Sequence, residues 1–314
     1  MLFAAIDIGS NAVRLYFANV FLSKGAPVVE KVSLIRIPLR LGEDVFTEGI
    51  ISEERISKLL KTLQSFKLLI DVYEPLGYIA CATSALREAD NNNIILNRIL
   101  EETGIDVKII DGIEEARIIS SVNNIKTSSK FELSMYVDVG GGSTEISILR
   151  NHELIATNSF QIGTLRILSG ADSSKEWERL QRWLLNFENN FGNIYLIGSG
   201  GNINKLSKLF GQKGSNQLSL EEMKNGYQQL KGMTMRQRIE DMGLRPDRAD
   251  VIVPAVEIFL IIMGTIGSKN IFVPRIGLSD GLIYTVYSSY VQKDFISSNN
   301  ENKESLKQFR LVNV

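Results

Sequence analysis

The stretch Tyr136-Val-Asp-Val-Gly-Gly-Gly-Ser-Thr-Glu-Ile-Ser-Ile-Leu149 constrains this chain more than any other. Met135 to Val139 reads as a buried strand ending on an acid, Asp138, and Ile146 to Leu149 reads as the returning strand. Gly140, Gly141 and Gly142 make the bend, although a tight hairpin needs only one or two positive-φ residues. Three glycines leave backbone N–H groups with no Cβ in front of them, which suits an anion. Ser143 and Thr144 add two hydroxyl donors. Asp138 and Glu145 repel a phosphate directly, and a divalent cation between them and the phosphate turns repulsion into attraction. Taken alone, a glycine hairpin with solvated polar residues explains the stretch equally well.

The beginning of the chain has the same build. Ala4-Ala-Ile-Asp7-Ile-Gly9-Ser10-Asn11-Ala12-Val-Arg14-Leu-Tyr-Phe-Ala18 is an apolar strand ending on Asp7, a Gly/Ser/Asn turn, and a returning apolar strand. Laid on the later stretch, Asp7 falls on Asp138, Gly9 on Gly140 and Arg14 on Glu145. Two such hairpins suggest a duplicated unit. A phosphate held between them meets a guanidinium on one side and a metal-binding carboxylate on the other.

At 314 residues the chain has room for two domains, and 44% hydrophobic with 23% charged residues suits well-packed cores. A net charge of −1 without a basic block argues against a dedicated nucleic-acid partner. One cysteine excludes an internal disulfide and fits a reducing cytoplasm, and no signal peptide is read at the N-terminus. The most apolar run, Val251 to Ile266, contains Pro254 and Glu257 and reads as a buried helix rather than a membrane span.

Along the chain, a third strand is expected at about 28–39 and an amphipathic helix from Ser52. A short strand at 77–82, a helix at 93–102, a strand at 107–111 and a helix opened by Gly112-Ile-Glu114-Glu115 follow. The polar stretch Asn123 to Lys130 is the expected linker, placing one domain at 1–124 and a second at 125–314. Beyond it come the glycine hairpin, a strand near 153–161, a helix at about 174–191, a strand at 194–197 and the loop Gly198-Ser199-Gly200-Gly201. Ser219-Leu-Glu-Glu222 is a capping-box start, and a closing helix begins at about Ser279. Residues 297–304 read as a polar, mobile segment. Strands alternating with helices in both halves imply mixed sheets with helices on their faces, an α/β protein.

The one histidine, His152, lies in the polar turn Arg150-Asn-His-Glu153, so acid–base work falls to carboxylates. Cys81-Ala-Thr-Ser-Ala-Leu-Arg87 has the Cys-x5-Arg spacing of cysteine-dependent phosphatases, but it has no glycine, and Cys81 ends an apolar run. Glu114 and Glu115 open a helix, where the dipole favours acids in any case. Gly198 to Gly201 sits between a strand and a helix, a usual place for a ligand's polar groups, and lacks the P-loop Lys-Ser/Thr.

As a set, Asp7-Ile-Gly-Ser-Asn-Ala-Val-Arg-Leu15, Ala82-Thr-Ser-Ala-Leu-Arg-Glu-Ala-Asp-Asn91, Glu114-Glu-Ala-Arg117, Asp138-Val-Gly-Gly-Gly-Ser-Thr-Glu145, Gly163-Thr-Leu-Arg166 and Gly198-Ser-Gly-Gly201 resemble the Ppx/GppA (exopolyphosphatase/guanosine pentaphosphate phosphohydrolase) family. That family lies within the actin, sugar-kinase and Hsp70 ATPase superfamily. The resemblance implies two ribonuclease-H-like domains, an active site in the cleft between them, and a closing helix that packs back on the first domain. It implies hydrolysis of a terminal phosphoanhydride, with inorganic polyphosphate or guanosine pentaphosphate as substrate. Carried over by motif, Glu115 is the base that activates water, and Asp138 and Glu145 hold Mg²⁺ or another divalent cation. Ser10, Asn11, Arg14 and Gly140 to Thr144 grip phosphate, and Arg87 is a further phosphate contact. A sugar-kinase-type phosphotransferase and a non-catalytic nucleotide- or alarmone-binding regulator are the alternatives. A homodimer is left open.

Three departures stand out. Ala12 takes a place often held by serine, and Pro254 and Gly277-Leu-Ser-Asp-Gly281 replace the family's usual Gly and Arg-Glu-Gly. Longer members carry a further helical domain with His-Asp motifs, so a long basic track and processive action are not implied here.

Overall fold

In the computed structural model the described residues are 1–23, 26–126, 132–171, 173–191 and 194–292. The chain opens with the hairpin β1 (Leu2–Ile8) and β2 (Val13–Ser23), continued by β3 (Ala26–Ile37). Then come α1 (Leu41–Glu48), α2 (Glu53–Tyr73), β4 (Tyr78–Ala82), α3 (Ser84–Glu88), α4 (Asn92–Thr103), β5 (Lys108–Ile109) and α5 (Gly112–Lys126). The second hairpin is β6 (Leu133–Val139) and β7 (Thr144–Arg150), followed by β8 (Glu153–Phe160), α6 (Thr164–Leu168), α7 (Ser174–Phe191), β9 (Tyr195–Ser199) and α8 (Gly200–Phe210). β10 (Gln217–Ser219), α9 (Leu220–Gly232), α10 (Met235–Glu240), α11 (Pro246–Ala249), α12 (Ile252–Thr265) and β11 (Asn270–Phe272) complete the second half. A last helix, α13, covers 278–292.

The two halves repeat one plan. The first sheet runs β3-β2-β1-β4-β5, and the second runs β8-β7-β6-β9-β11 with β10 added at its edge. In each, an antiparallel hairpin is extended on the other side by a parallel strand. The hairpin registers also agree, since Asp7 pairs with Arg14 and Asp138 with Glu145. Both turns close with the same bond, Gly9 N–H to Ala12 O at 3.1 Å and Gly140 N–H to Ser143 O at 2.9 Å. This is the duplicated, mixed α/β architecture expected of two ribonuclease-H-like units.

Local chemistry explains the helix starts. Ser52 accepts from Arg55 N–H to cap α2, and Ser219 and Glu222 form a reciprocal capping box on α9. Such a cap stabilises a helix by about 1 kcal/mol relative to alanine. The run read as a buried helix is α12, whose Ile252, Val256, Phe259 and Met263 lie in the second core. No helix among the described residues is long and apolar enough to cross a membrane. Residues 123–126 of the expected linker end α5, while the rest of that stretch and residues 297–304 lie outside the described residues.

Helices α1 to α4 cover one face of the first sheet, burying Ile56, Leu63 and Phe66 against Ile6, Leu15 and Phe17. The other face packs on α5 and α13, where Phe3, Ala5 and Cys81 meet Ile119, Leu282 and Tyr287. Gly281 lets these two helices cross closely, since a Cβ there would stand 2.5 Å from the Ile118 carbonyl oxygen. Helix α5 also reaches the second sheet through the bond from Ser147 Oγ to Ala116 O. Glu115 is thus carried by a helix held between both sheets.

Candidate active site

A cleft of about 590 Å³ opens between the ends of the two hairpins. Asp7, Ser10, Asn11, Arg14, Glu115, Asp138, Gly140, Gly141, Ser143, Gly200 and Gly201 line it. Arg87, Gly142, Thr144, Glu145, Gly198 and Ser199 are not on that lining. The spacing of these residues along the chain does not show this division, because it depends on which strand lies behind which.

Glu115 owes its place to Asp111, whose Oδ1 accepts Glu114 N–H at 2.7 Å and fixes the first turn of α5. Gly112 lies so close to Ser159 that a Cβ would meet its Oγ at 2.2 Å. The two adjacent acids separate sharply. Glu114 faces outward and pairs with Lys108 at 2.5 Å. Glu115 turns inward, and its buried Oε2 has no hydrogen-bond partner. Its nearest cation is Arg87, 3.9 Å away, whose Nη1 donates to the Ile110 carbonyl. Burial, then the charges of Glu145 and Asp138, raises the Glu115 carboxyl well above the usual carboxylate range.

Asp138 accepts from Ser199 Oγ at 3.0 Å, and burial lifts its carboxyl to about 6. Glu145, its cross-strand partner, accepts from Ser159 Oγ at 2.8 Å, and burial lifts it to about 7. Among the described residues no three His, Cys, Asp or Glu side chains converge as a ready metal cage. Mg²⁺ does not require one, because it keeps several waters and binds through one or two carboxylates plus phosphate oxygens. The oxygen donors of Asp138 and Glu145, cross-strand partners in the second hairpin, fit that chemistry.

The glycines are explained by close approach rather than by φ. None of Gly140, Gly141 and Gly142 adopts positive φ. A Cβ on Gly142 would meet Phe46 Cζ at 2.4 Å and Ser84 Oγ at 2.5 Å, and one on Gly141 would meet Ser10 Cβ at 3.0 Å. The second hairpin's turn therefore nests against the first half. Gly200 does have positive φ, and a Cβ there would stand 2.5 Å from the Asp138 carboxylate. The loop Gly198 to Gly201, expected as a ligand loop, thus also supports Asp138.

The other expected phosphate contacts are arranged unevenly. Arg14 Nη1 pairs with Asp7 Oδ2 at 2.6 Å across the first hairpin, while the arginine still lines the cleft. Ser10 Oγ shares a hydrogen bond with Ser84 Oγ at 2.7 Å, and Asn11 Oδ1 is buried without a partner. Thr144 turns away from the cleft and donates to Ile162 O at 2.6 Å.

Sequence reasoning missed several cleft residues. Thr83 and Ser84 lay inside the segment read as a glycine-free loop, which folds at its end as α3. Arg36 on β3 pairs with Asp247 at 2.5 Å, and Arg248 on α11 donates to Gly201 O at 2.7 Å. Burial and the neighbouring Arg36 and Arg14 lower Arg248 to about 10. Lys205 and Lys208 on α8 extend this basic wall. An arginine or lysine on a strand or short helix has no local pattern to mark it, so the three-dimensional arrangement was needed. Cys81 is buried, and burial pushes its thiol up to about 12, which removes it as a nucleophile at neutral pH.

A family model for the Ppx/GppA phosphatase family matches residues 22–289. A bifunctional 3-dehydroquinate synthase/phosphatase from Fusobacterium nucleatum is 32% identical over 169 residues, 52% of this chain and 25% of that protein. A guanosine-5'-triphosphate,3'-diphosphate pyrophosphatase from Photobacterium profundum is 24% identical over 309 residues, 93% of this chain and 61% of that one. The chain thus spans from 25% to 61% of the length of these curated relatives. The crystal structure of an exopolyphosphatase from Cytophaga hutchinsonii superposes with a TM-score of 0.79 at 26% identity, covering 91% of this chain and 97% of that one.

Proposed function

Because this chain belongs to the Ppx/GppA phosphatase family, we propose that its cleft hydrolyses the terminal phosphoanhydride bond of inorganic polyphosphate or guanosine pentaphosphate. The observation that carries this reading is the buried, unpartnered Oε2 of Glu115 at the cleft. A carboxylate whose proton affinity is raised by burial is suited to take a proton from water near neutral pH. The Arg87 charge, 3.9 Å away, limits the rise. Mg²⁺ held by Asp138 and Glu145 would supply positive charge to the transferring phosphoryl group. Backbone amides of the glycine turn and the Arg14 guanidinium bind the remaining phosphate oxygens. Ser10, Asn11 and Ser143, all on the lining, orient the phosphate.

Two relatives' names support the two substrates, one a pyrophosphatase acting on a guanosine phosphate and the other an exopolyphosphatase. The test is phosphate release from each by the purified chain with Mg²⁺. Release from at least one supports the proposal. Tight binding without release would make the chain a regulator, and transfer to a hydroxyl acceptor would make it a phosphotransferase.

A further inference from the structure

We infer that Arg166 is a positioning residue that sets the glycine turn's last peptide plane and ties it to the helix carrying Arg87. This rests on the proposed phosphate-binding role of that turn.

All three glycine carbonyls face α6. Gly140 O accepts Thr164 N–H at 3.0 Å, and Gly141 O accepts Leu165 N–H at 2.8 Å and Arg166 N–H at 3.1 Å. Gly142 O accepts Arg166 Nε–H at 2.8 Å. In a trans peptide the N–H points opposite to the C=O. The N–H groups of Gly141, Gly142 and Ser143 therefore face away from α6, toward the cleft that Gly141 and Ser143 line. Backbone N–H groups, which any non-proline residue supplies, hold the first two planes. Thr164 Oγ1 adds a bond to Gly140 O at 3.4 Å, but among the described residues only the Gly142–Ser143 plane rests on a side chain alone.

That side chain is itself fixed at two further points. Arg166 Nη2 pairs with Glu88 Oε2 at 2.5 Å, and its guanidinium carbon lies 4.2 Å from the centre of the Phe46 ring. Glu88 and Phe46 belong to α3 and α1 of the first half, whereas Arg166 belongs to the second. The other Glu88 oxygen, Oε1, is buried without a partner, so Arg166 is what holds this carboxylate. Glu88 directly follows Arg87, whose guanidinium stands beside Glu115. One side chain thus links the turn's Ser143 amide to the segment that sets a cation beside the base. Lysine keeps the charge but cannot donate to both the carbonyl and the carboxylate in this planar arrangement.

The experiment measures kcat and KM for phosphate release by Arg166→Lys, Glu88→Gln and the double variant, with the affinity of each for inorganic tripolyphosphate by calorimetry in Mg²⁺. Arg166→Lys should lower kcat about tenfold or more while KM moves far less, since a misaimed amide chiefly affects transition-state charge. Adding Glu88→Gln to it should cost less than about twofold more, because both act through one link. Wild-type kcat in Arg166→Lys, or effects that multiply, would overturn the inference. If the wild-type chain releases phosphate from neither substrate, the proposed function fails and tripolyphosphate affinity becomes the readout. Non-additive weakening by the two substitutions, smaller than the loss expected in kcat, would then support the link, and unchanged or independently reduced affinities would overturn it.

Discussion

Arg87 stands 3.9 Å from Glu115, yet it donates its hydrogen bond to the Ile110 carbonyl and leaves Glu115 Oε2 unbonded. The cation is near enough to favour the carboxylate, and the oxygen stays available for a water proton. Arg87→Ala should therefore raise the pH at which activity appears as well as lower kcat. A pH–rate profile with an unmoved acid limb would separate Arg87 from Glu115.

The buried acids predict a cost in stability. Burial raises Glu115, Asp138 at about 6 and Glu145 at about 7, so each holds its proton to higher pH folded than unfolded. Between about pH 4, the usual carboxylate value, and pH 7 the folded state binds more protons. Their contribution is full below that window and is lost as pH rises through it. Without divalent cations, Glu145→Gln should melt a few degrees above wild type at pH 8, and the difference should shrink towards pH 4. A pH-independent difference, or a destabilised variant at pH 8, would contradict this.

Cys81 should be inert. It is buried with its thiol pushed to about 12, so thiol alkylation of the native protein should not inhibit and Cys81→Ser should keep nearly full turnover. Loss of activity in a folded Cys81→Ser protein would restore the cysteine-phosphatase reading.

The metal reading makes a separate demand. Hydrolysis should vanish in excess chelator and return with Mg²⁺, and Asp138→Asn and Glu145→Gln should each raise the Mg²⁺ concentration required. Because both act through one ion, their effects should not simply add. Arg14→Ala should instead weaken phosphate binding and leave the Mg²⁺ requirement unchanged. Full activity in chelator would remove the carboxylate pair from the mechanism.

How much of this was legible depended on range. Asp7, Arg14, Asp138 and Glu145 could be paired from the sequence because a hairpin register is local, and the structure has those pairs. The reason for three glycines could not be read, since it lies in Ser10, Ser84 and Phe46, more than fifty residues away along the chain. Thr144 illustrates the opposite case. Its place after the glycines suggested a phosphate contact, but its hydroxyl is held by Ile162 on the segment that follows β8. Arg36 and Arg248 reached the cleft from a strand and a four-residue helix with no motif of their own.

The central claim is that Glu115, and not its neighbour, takes the proton from water. The direct measurement is kcat for phosphate release by Glu115→Gln and Glu114→Gln beside wild type, with substrate affinity measured on each. A positioned base is worth about 10²- to 10⁴-fold, so Glu115→Gln should lose that much kcat while still binding substrate. Glu114→Gln, which loses only its surface pairing with Lys108, should stay near wild type. Equal rates for Glu115→Gln and wild type, or the larger loss in Glu114→Gln, would contradict the account.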